Sequence, residues 1–401
     1  MALDIRQGEK RVLLLAIQSA LGVAAALSGA TDAQQVLDGD FKFLADQLQR
    51  EVDSQGHGSK PYVHVKPMCN YTGGLELRGA AVVGAAMPGA RVLRICGFQE
   101  TLVASTSATY ALRIANWEYG TMEGYDGGSC VAAINCQGVL KKLMYKVGEY
   151  SKAEFDIKGA NPPRGTAVGA TTNATGYAAG VTSITLAAAG TGTLLVGDVI
   201  QFAGDTRNTY RVGTAVANVS AGGAVTISPA LVTAIPASAT AITVKLPQIF
   251  DANNPNAVLT AFISPEPITT ESGLFRYGAT ELNAIEMEID TNADAAVIEG
   301  TRDRIPVMSE LYQPSGSVTV TKEYRGDFDP EQLALAHTAN DMVFEVVGGG
   351  EKQRITLKGV QLGIPEPTLI ENIVHWKIPF IARGTNTTDC LTIAFLLPNA
   401  V

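Results

Sequence analysis

Two short segments contain residue types that bind phosphate or attack acyl groups. Gly348 to Arg354 reads GGGEKQR, which places glycines ahead of a lysine. A phosphate-binding loop needs the spacing GxxxxGK and a following Ser or Thr for magnesium, so a turn is the better interpretation. Gly56 to Lys60 reads GHGSK, with a histidine next to a serine. Neighbours in sequence do not form triad geometry, and this segment is interpreted as a polar loop.

Potential metal ligands are present, but their spacing does not match a metal site. The segment MEGYDGG, Met122 to Gly128, offers too few oxygen ligands for calcium. The cysteines, which form no CxxC pair, are Cys69, Cys96, Cys130, Cys136 and Cys390. Cys69 and Cys96 could meet His57 and His64 at zinc, but neither short ligand pair of a zinc module is present. We predict free thiols in a reducing compartment, no metal, no cofactor and no enzymatic activity. A hydrolase with an unrecognised site is the enzymatic alternative.

Carboxylates recur at every second residue of NAIEMEID. Glu286, Glu288 and Asp290 share one side of this segment, and apolar residues occupy the other. A period of two predicts a strand with one buried face and one wet face.

Length and composition indicate a well-packed β-rich structural protein. A chain of 401 residues suggests two or three domains. Only 17% of the residues are charged, and the net charge is −9. This negative balance argues against tight binding of nucleic acid, although nucleic acid could still pass by.

The segment Val12 to Ala30, VLLLAIQSALGVAAALSGA, has two interpretations. An acidic leader and the polar interruption Gln18-Ser19 disfavour a cleaved secretory signal, which stays the alternative. We predict a short docked helix ending near Gly22, whose apolar face is formed by Leu13, Ile17, Ala20 and Leu21. No apolar stretch is long enough to cross a bilayer, so no membrane is expected as a partner.

The composition changes sharply near residues 161–163 and again near 251–255. Between Gly165 and Val244 the only charged residues are Asp198, Asp205, Arg207 and Arg211. Short strands divided by Gly and Asn turns predict a small β-sandwich or barrel, with a disordered linker as the alternative. We predict a first half at 1–162, an inserted small β-sandwich or Ig-like domain at 163–248, and a second half at 249–401. The insert is expected to be autonomous and removable.

The two flanks of the insert show the same order of elements. Residues 139–159 predict a hairpin with its turn at Gly148-Glu149, and residues 351–384 repeat the strand-turn-strand pattern. A strand, a long loop, a second strand and a short helix precede each hairpin. The second helix has Asp329 as its N-cap and Pro330 as its first residue. We therefore predict two related β halves, each with a flanking helix.

Several segments resemble the major tail tube proteins of long-tailed, siphovirus-type bacteriophages. They are RVLLLAIQSALGV (11–23), LRICGFQETLVASTSATYAL (93–112), GVLKKLMYKVGEYSKAEFDIKG (138–159), PSGSVTVTKEY (314–324) and LKGVQLGIPEPTLIENIVHWKIPFIARG (357–384). In the insert, residues 196–212 look like small β modules of phage structural proteins. The resemblance implies a mainly β chain with two tail-tube-like β-sandwich or barrel halves, each with a short flanking helix, plus an inserted small β domain.

The same resemblance implies a structural function. The chain would polymerise as stacked rings into the tube of a long, flexible, non-contractile virion tail, assembled in the host cytoplasm. Implied partners are further copies of the chain, the tape measure, terminator and distal tail proteins, and double-stranded DNA that passes without tight binding. The alternative is a distal tail, neck or decoration protein that binds a partner or a host surface.

The width of the duplex sets the number of strands in such a tube. Strands about 4.8 Å apart and tilted by roughly 40° need about 24 members to give a backbone diameter near 48 Å. After the side chains are added, a duplex of roughly 20 Å passes with a layer of water. If each half supplies four strands, three chains close a ring with pseudo-sixfold symmetry. If only one half does so, a homohexamer is required. The homotrimer is the favoured interpretation.

The resemblance also gives roles to particular residues. Glu286, Glu288 and Asp290 are candidates for an acidic lumen wall that repels phosphate, and a solvated outer face is the alternative. Two long loops are candidates for contacts between stacked rings. Their residues are Gln55, His57, Lys60, Asn292, Arg302 and Arg304.

Overall fold

The computed structural model is mainly β, with two short helices among the residues it describes. These residues are 11–21, 25, 27, 32–34, 36–49, 62–80, 82–113, 115–126, 129–160, 170–188, 190–191, 194, 199–205, 208, 210–213, 219–245, 272–297, 306–310, 312–321, 328–348, 351–384 and 390–397. None of the helices in these ranges is long and apolar enough to cross a bilayer.

The elements follow one another in three groups along the chain. The first group is β1 (Arg11–Ile17), β2 (Ala33–Gln34), β3 (Leu37–Gln49), β4 (Tyr62–Glu76), α1 (Ala90–Ile95), β5 (Phe98–Val103), β6 (Ser107–Leu112), β7 (Gly120–Asp126), β8 (Ser129–Lys146) and β9 (Lys152–Ala160). The insert contains β10 (Ala170–Thr171), β11 (Ser183–Leu186), β12 (Val199–Phe202), β13 (Tyr210–Val212), β14 (Gly223–Ser228) and β15 (Ala241–Lys245). The last group is β16 (Ser272–Tyr277), β17 (Thr280–Asp290), β18 (Asp294–Val297), β19 (Pro306–Glu310), β20 (Ser315–Thr321), α2 (Pro330–Leu335), β21 (Ala339–Gly348), β22 (Glu351–Leu362), β23 (Glu366–Ile370), β24 (Ile373–Ala382) and β25 (Leu391–Leu396).

The predicted N-terminal helix is wrong, because residues 11–17 form strand β1. This strand pairs along its whole length with β7, from Arg11 opposite Asp126 to Ile17 opposite Gly120. Leu13, Leu14 and Leu15 are all buried, so both faces of the strand are covered. A strand buried on both faces reads as a continuous apolar run, which sequence periodicity does not distinguish from a buried helix.

Both predicted short helices are confirmed. α1 ends where Gly97 adopts a positive φ of 89°. α2 begins at Pro330, and the side chain of its N-cap Asp329 accepts a hydrogen bond from Gln332 N at 3.1 Å. This is the arrangement that an Asp-Pro pair at a helix start predicts.

The second half contains a closed ring of six antiparallel strands. The ring runs β16–β17–β20–β24–β22–β21 and returns to β16. The first half repeats this order in the open sheet β1–β7–β8–β9–β4–β3. In that comparison β1 corresponds to β16, β3 to β17, β4 to β20, β7 to β21, β9 to β24, and β8 to β22 together with β23. The element order predicted to occur twice therefore returns as the same strand order in both halves.

One sheet continues from the first half into the second. The C-terminal end of β8 pairs with the end of β17, from Lys142 opposite Asp290 to Lys146 opposite Glu286. This junction joins eight strands in the order β3–β4–β9–β8–β17–β20–β24–β23. Four of these strands come from each half. The junction is called the β8–β17 junction below.

The two halves share a single hydrophobic core. The ring of Tyr145 on β8 packs on Phe344 of β21, with centroids 5.4 Å apart, and the Tyr145 hydroxyl accepts a hydrogen bond from Gln353 at 3.2 Å. On the opposite side β25 pairs with β6, and Tyr110 packs edge-on against Phe395. Residues of both halves therefore belong to one continuous buried cluster.

The insert folds around its own core. Its sheet runs β10–β15–β12–β13–β14–β11, and a bridge between Thr172 and Leu186 closes it into a six-stranded barrel. The buried cluster inside includes Ile200, Phe202 and Tyr210 and contains no residue of either half. The segment was predicted to be a small β-sandwich, an Ig-like domain or a barrel, with a disordered linker as the alternative, and the described residues form a barrel from one closed sheet.

Candidate assembly surface

One face of the eight-stranded sheet is polar and points away from the core. Cross-strand neighbours on it include Thr72 opposite Asp156 and Ser317 opposite Pro379. The charged residues on this face include, in strand order, Asp40, Lys42, Glu76, Lys152, Glu154, Asp156, Lys158, Lys142, Lys146, Glu286, Glu288, Asp290, Lys377 and Glu366. Carboxylates and amines are therefore interspersed across the surface.

The three lumen candidates lie side by side on this polar face. Glu286 and Asp290 are exposed, and Glu288 is half-buried. The β8 strand places Lys146, Met144 and Lys142 directly opposite them. Lys142 forms an ion pair with Glu288, and this hydrogen bond raises the pKa of the lysine above its ordinary value. The carboxylate row is thus balanced by lysines of the first half, and it is not part of a continuous acidic wall.

Reversing the three carboxylates to lysine is expected to weaken the β8–β17 junction. The variant Glu286→Lys/Glu288→Lys/Asp290→Lys would place like charges directly opposite Lys142 and Lys146, at a cost of up to about 1 kcal/mol for each pair. Adding Lys142→Glu and Lys146→Glu should restore most of the stability. Urea unfolding of the two variants measures the difference. Equal midpoints for both would show that these cross-strand pairs contribute nothing.

Both outer strands of the eight-stranded sheet have one free edge within the described part of the chain. There β3 pairs only with β4, and β23 pairs only with β24. An unpaired strand edge is a template for pairing with another chain. Exposed aliphatic side chains accompany both edges: Leu44 on β3, and Leu369, Ile373 and Val374 on the β23–β24 hairpin.

The β23–β24 hairpin has a tight two-residue turn and is called the arm. Glu371 and Asn372 form its two-residue turn with φ values of 50° and 64°. Positive φ at both positions is typical of a type I′ turn, whose twist matches that of the strands. Leu369 is 72% exposed although it lies in a strand, so the arm presents apolar surface to solvent.

The segment that follows β17 is fixed to the first half. Lys141 Nζ donates to Ala293 O at 2.7 Å and to Asp294 Oδ1 at 3.1 Å, and Lys158 Nζ donates to Ala295 O. Burial opposes ionisation of Asp294, but its carboxyl accepts hydrogen bonds from Lys141 Nζ and Ala295 N. These bonds and the charges of Lys141 and Lys158 outweigh burial and hold the pKa of the carboxyl below its ordinary value. The segment predicted as a free loop therefore contains strand β18, which pairs with β19.

The inter-ring candidates have different outcomes. Asn292 belongs to the fixed base of this segment, because its side-chain amide donates to Gln313 O and Ser315 Oγ, both at 2.9 Å. Arg302 and Arg304 lie outside the described residues, as do Gln55, His57 and Lys60 of the other loop. Their role in stacking stays a prediction.

The insert is joined to the first half by a buried ion pair. The guanidinium of Arg211 on β13 makes a bidentate contact with the carboxylate of Glu123 on β7. The side chains of Arg211 and Glu123 are 14% and 4% exposed. A planar guanidinium matches both oxygens of a carboxylate, so this contact fixes orientation as well as charge.

The internal repeat places a second buried glutamate at the position equivalent to Glu123. The last paired residues of the β7–β8 hairpin are Asp126 and Ser129, and those of the β21–β22 hairpin are Gly348 and Glu351. Glu123 and Glu345 each lie three residues before the end of the first strand, so they are equivalent. Glu345 is also buried, and its partners are Arg354 at 2.5 Å and Lys352 at 3.3 Å on the adjacent strand. The residues of β8 at the equivalent positions, Ala132 and Cys130, are uncharged. Arg211 supplies the missing cation.

The described segments that were considered for catalysis or metal binding form parts of β-strands. GGGEKQR contains the ends of strands β21 and β22, and MEGYDGG contains Glu123. Burial raises the pKa of Cys69 to about 12 and that of Cys96 well above its ordinary value, which disfavours the thiolates that zinc requires. The described residues contain no group of three or more potential metal ligands. His57 and GHGSK lie outside them.

Comparison with known proteins assigns no family to the chain. No family model matches the sequence, and no curated protein sequence matches it. The geometry of the assembly surface is therefore the basis for the proposed function.

Proposed function

We propose that the chain is the structural subunit of a bacteriophage tail tube, in which three copies form each ring. The observation that carries this proposal is the eight-stranded sheet shared by both halves, which has a polar face and, among the described residues, a free edge at each end. Three such sheets supply the roughly 24 strands that a channel for duplex DNA requires. The shared core makes the two halves one building block.

The charge pattern of the polar face fits the passage of DNA. A surface dominated by lysine would hold the phosphate backbone through counterion release, with affinity rising steeply as salt falls. On this face most lysines lie beside carboxylates, such as Lys142 beside Glu288 and Lys42 at 2.5 Å from Asp40. Lysines whose charge is balanced by a neighbouring carboxylate offer DNA few binding sites. A channel wall of mixed charge also stays hydrated. The proposed location is the virion tail, and the proposed activity is conduction without catalysis.

Electron microscopy of the concentrated, purified chain tests this function. Rings with threefold symmetry that stack into tubes, with a channel wide enough for a duplex of about 20 Å, are the expected result. Single rings that never stack would support the alternative function as a distal tail or neck protein. A chain that stays monomeric at every concentration would contradict the tube proposal.

A further inference from the structure

The contact between the two halves of one chain is a structural model for the contact between two neighbouring chains. The β8–β17 junction connects the first half to the second inside one chain. In the first half, β3 is the strand equivalent to β17. In the second half, β23 is the segment equivalent to the end of β8. Within the ranges that the structure describes, each of these equivalent segments has a free edge. We propose that β23 of one copy pairs antiparallel with β3 of the next copy, in the register of the β8–β17 junction.

Two independent features give the register of this contact. The last ladder pair of each hairpin is Met144–Lys152 in the first half and Ile370–Ile373 in the second, so Ile370 corresponds to Met144. The bulges of β3 and β17 end at Asp40 and Glu286, so these two residues correspond.

The alignment from the hairpin ends and the alignment from the bulges agree when residue pairs are traced from strand to strand across the sheet. From the hairpins, Asp156 corresponds to Lys377, four residues beyond Lys152 and Ile373. Asp156 pairs with Thr72, which pairs with Asp40. In the second half, the equivalent path runs from Lys377 to Thr319 and then to Glu286. Both features thus lead to one register, in which Ile370 lies opposite Lys42 and Thr368 lies opposite Leu44.

The side chains at this predicted contact differ from those inside the chain in a way that suits association. At the β8–β17 junction, Leu143 and Ile289 are opposite each other and fully buried. The residue equivalent to Leu143 is Leu369, which is 72% exposed in the single chain. On the polar face, Leu44 of β3 is exposed as well. Pairing with a second copy would cover Leu369 and satisfy both strand edges, whereas Leu44 would stay on the polar face.

Cysteine cross-linking tests this contact, which rests on the proposed tube function. Thr368→Cys with Leu44→Cys, in a Cys130→Ser background because the other four thiols are buried, places the new thiols directly opposite each other across the predicted interface. We expect oxidation to give covalent trimers on a non-reducing gel. Thr368→Cys with Asp40→Cys is the register control, since four residues displace the partner by about 13 Å, beyond disulfide reach.

A charge placed on the arm tests the same contact without relying on disulfide geometry. Leu369→Asp should keep a folded chain but abolish ring formation. Leu335→Asp on α2 is the matched control, since Leu335 is 71% exposed, and it should assemble as the unmodified chain does. Tubes with Leu369→Asp, or tubes in which only the register-shifted pair cross-links, would overturn this contact and leave the tube function standing. Failure of the unmodified chain to form any oligomer would overturn both.

Discussion

Arg211→Ala is expected to lower the free energy of unfolding by about 3–5 kcal/mol, because it removes one partner of a buried, bidentate ion pair. Glu123 is only 3% exposed, and no cation lies at the equivalent positions of β8. Chemical denaturation followed by tryptophan fluorescence and circular dichroism measures the loss. The variant Arg211→Ala/Glu123→Gln removes both charges and should regain most of the stability. If the double variant is as unstable as the single one, lost packing and not the lost charge compensation is the cause.

The same ion pair changes the expectation for removal of the insert. Replacement of Gly165 to Val244 by a short Gly-Ser linker was expected to preserve assembly, because the composition predicts an autonomous domain. The structure gives the insert its own core but also makes it the source of the Glu123 counter-charge. We therefore expect the deletion to lower the stability of the first half and so to impair assembly, and Glu123→Gln in the same variant should recover part of the loss. A deletion variant that forms tubes with Glu123 intact would contradict this dependence.

Phe344→Ala is expected to destabilise both halves of the chain together. Removal of a buried aromatic ring costs about 3–5 kcal/mol, and Phe344 of the second half packs on Tyr145 of the first. Scanning calorimetry should show one transition for the two halves shifted to lower temperature, with the transition of the insert unchanged.

Phe202→Ala is the matched control for this experiment. Phe202 is equally buried, but it belongs to the separate core of the insert. Its substitution should shift only the transition of the insert. Separate transitions for residues 1–162 and 249–401 in the Phe344→Ala variant would show that the halves do not share one cooperative core.

Local patterns in the sequence predicted much of the fold. The hairpin at 139–159 was predicted from period-two alternation, and α2 from the Asp329-Pro330 start. These features depend on residues within a few positions of each other. The N-terminal strand was mistaken for a helix, because Leu13 to Leu15 are buried on both faces and leave no polar alternation to read.

Contacts between distant residues decide the parts of the surface that the sequence did not predict. The carboxylates at 286–290 were placed on a wet face by their alternation, but nothing local to them indicates that Lys142 and Lys146 lie opposite. In the same way, the buried pair of Arg211 and Glu123 joins segments 88 residues apart. Only the tertiary structure brings such groups together.

The single insert between two similar halves has a consequence for the outer surface of the proposed tube. Around a ring of six similar units, every second unit would carry a barrel, and the alternate units would carry none. Stacked rings would then present the barrels in three rows along the tube, with three bare strips between them. Such a surface would offer two kinds of binding sites at equal spacing, although the proposed channel inside would be close to sixfold. Any protein that grips the tube from outside would meet threefold symmetry.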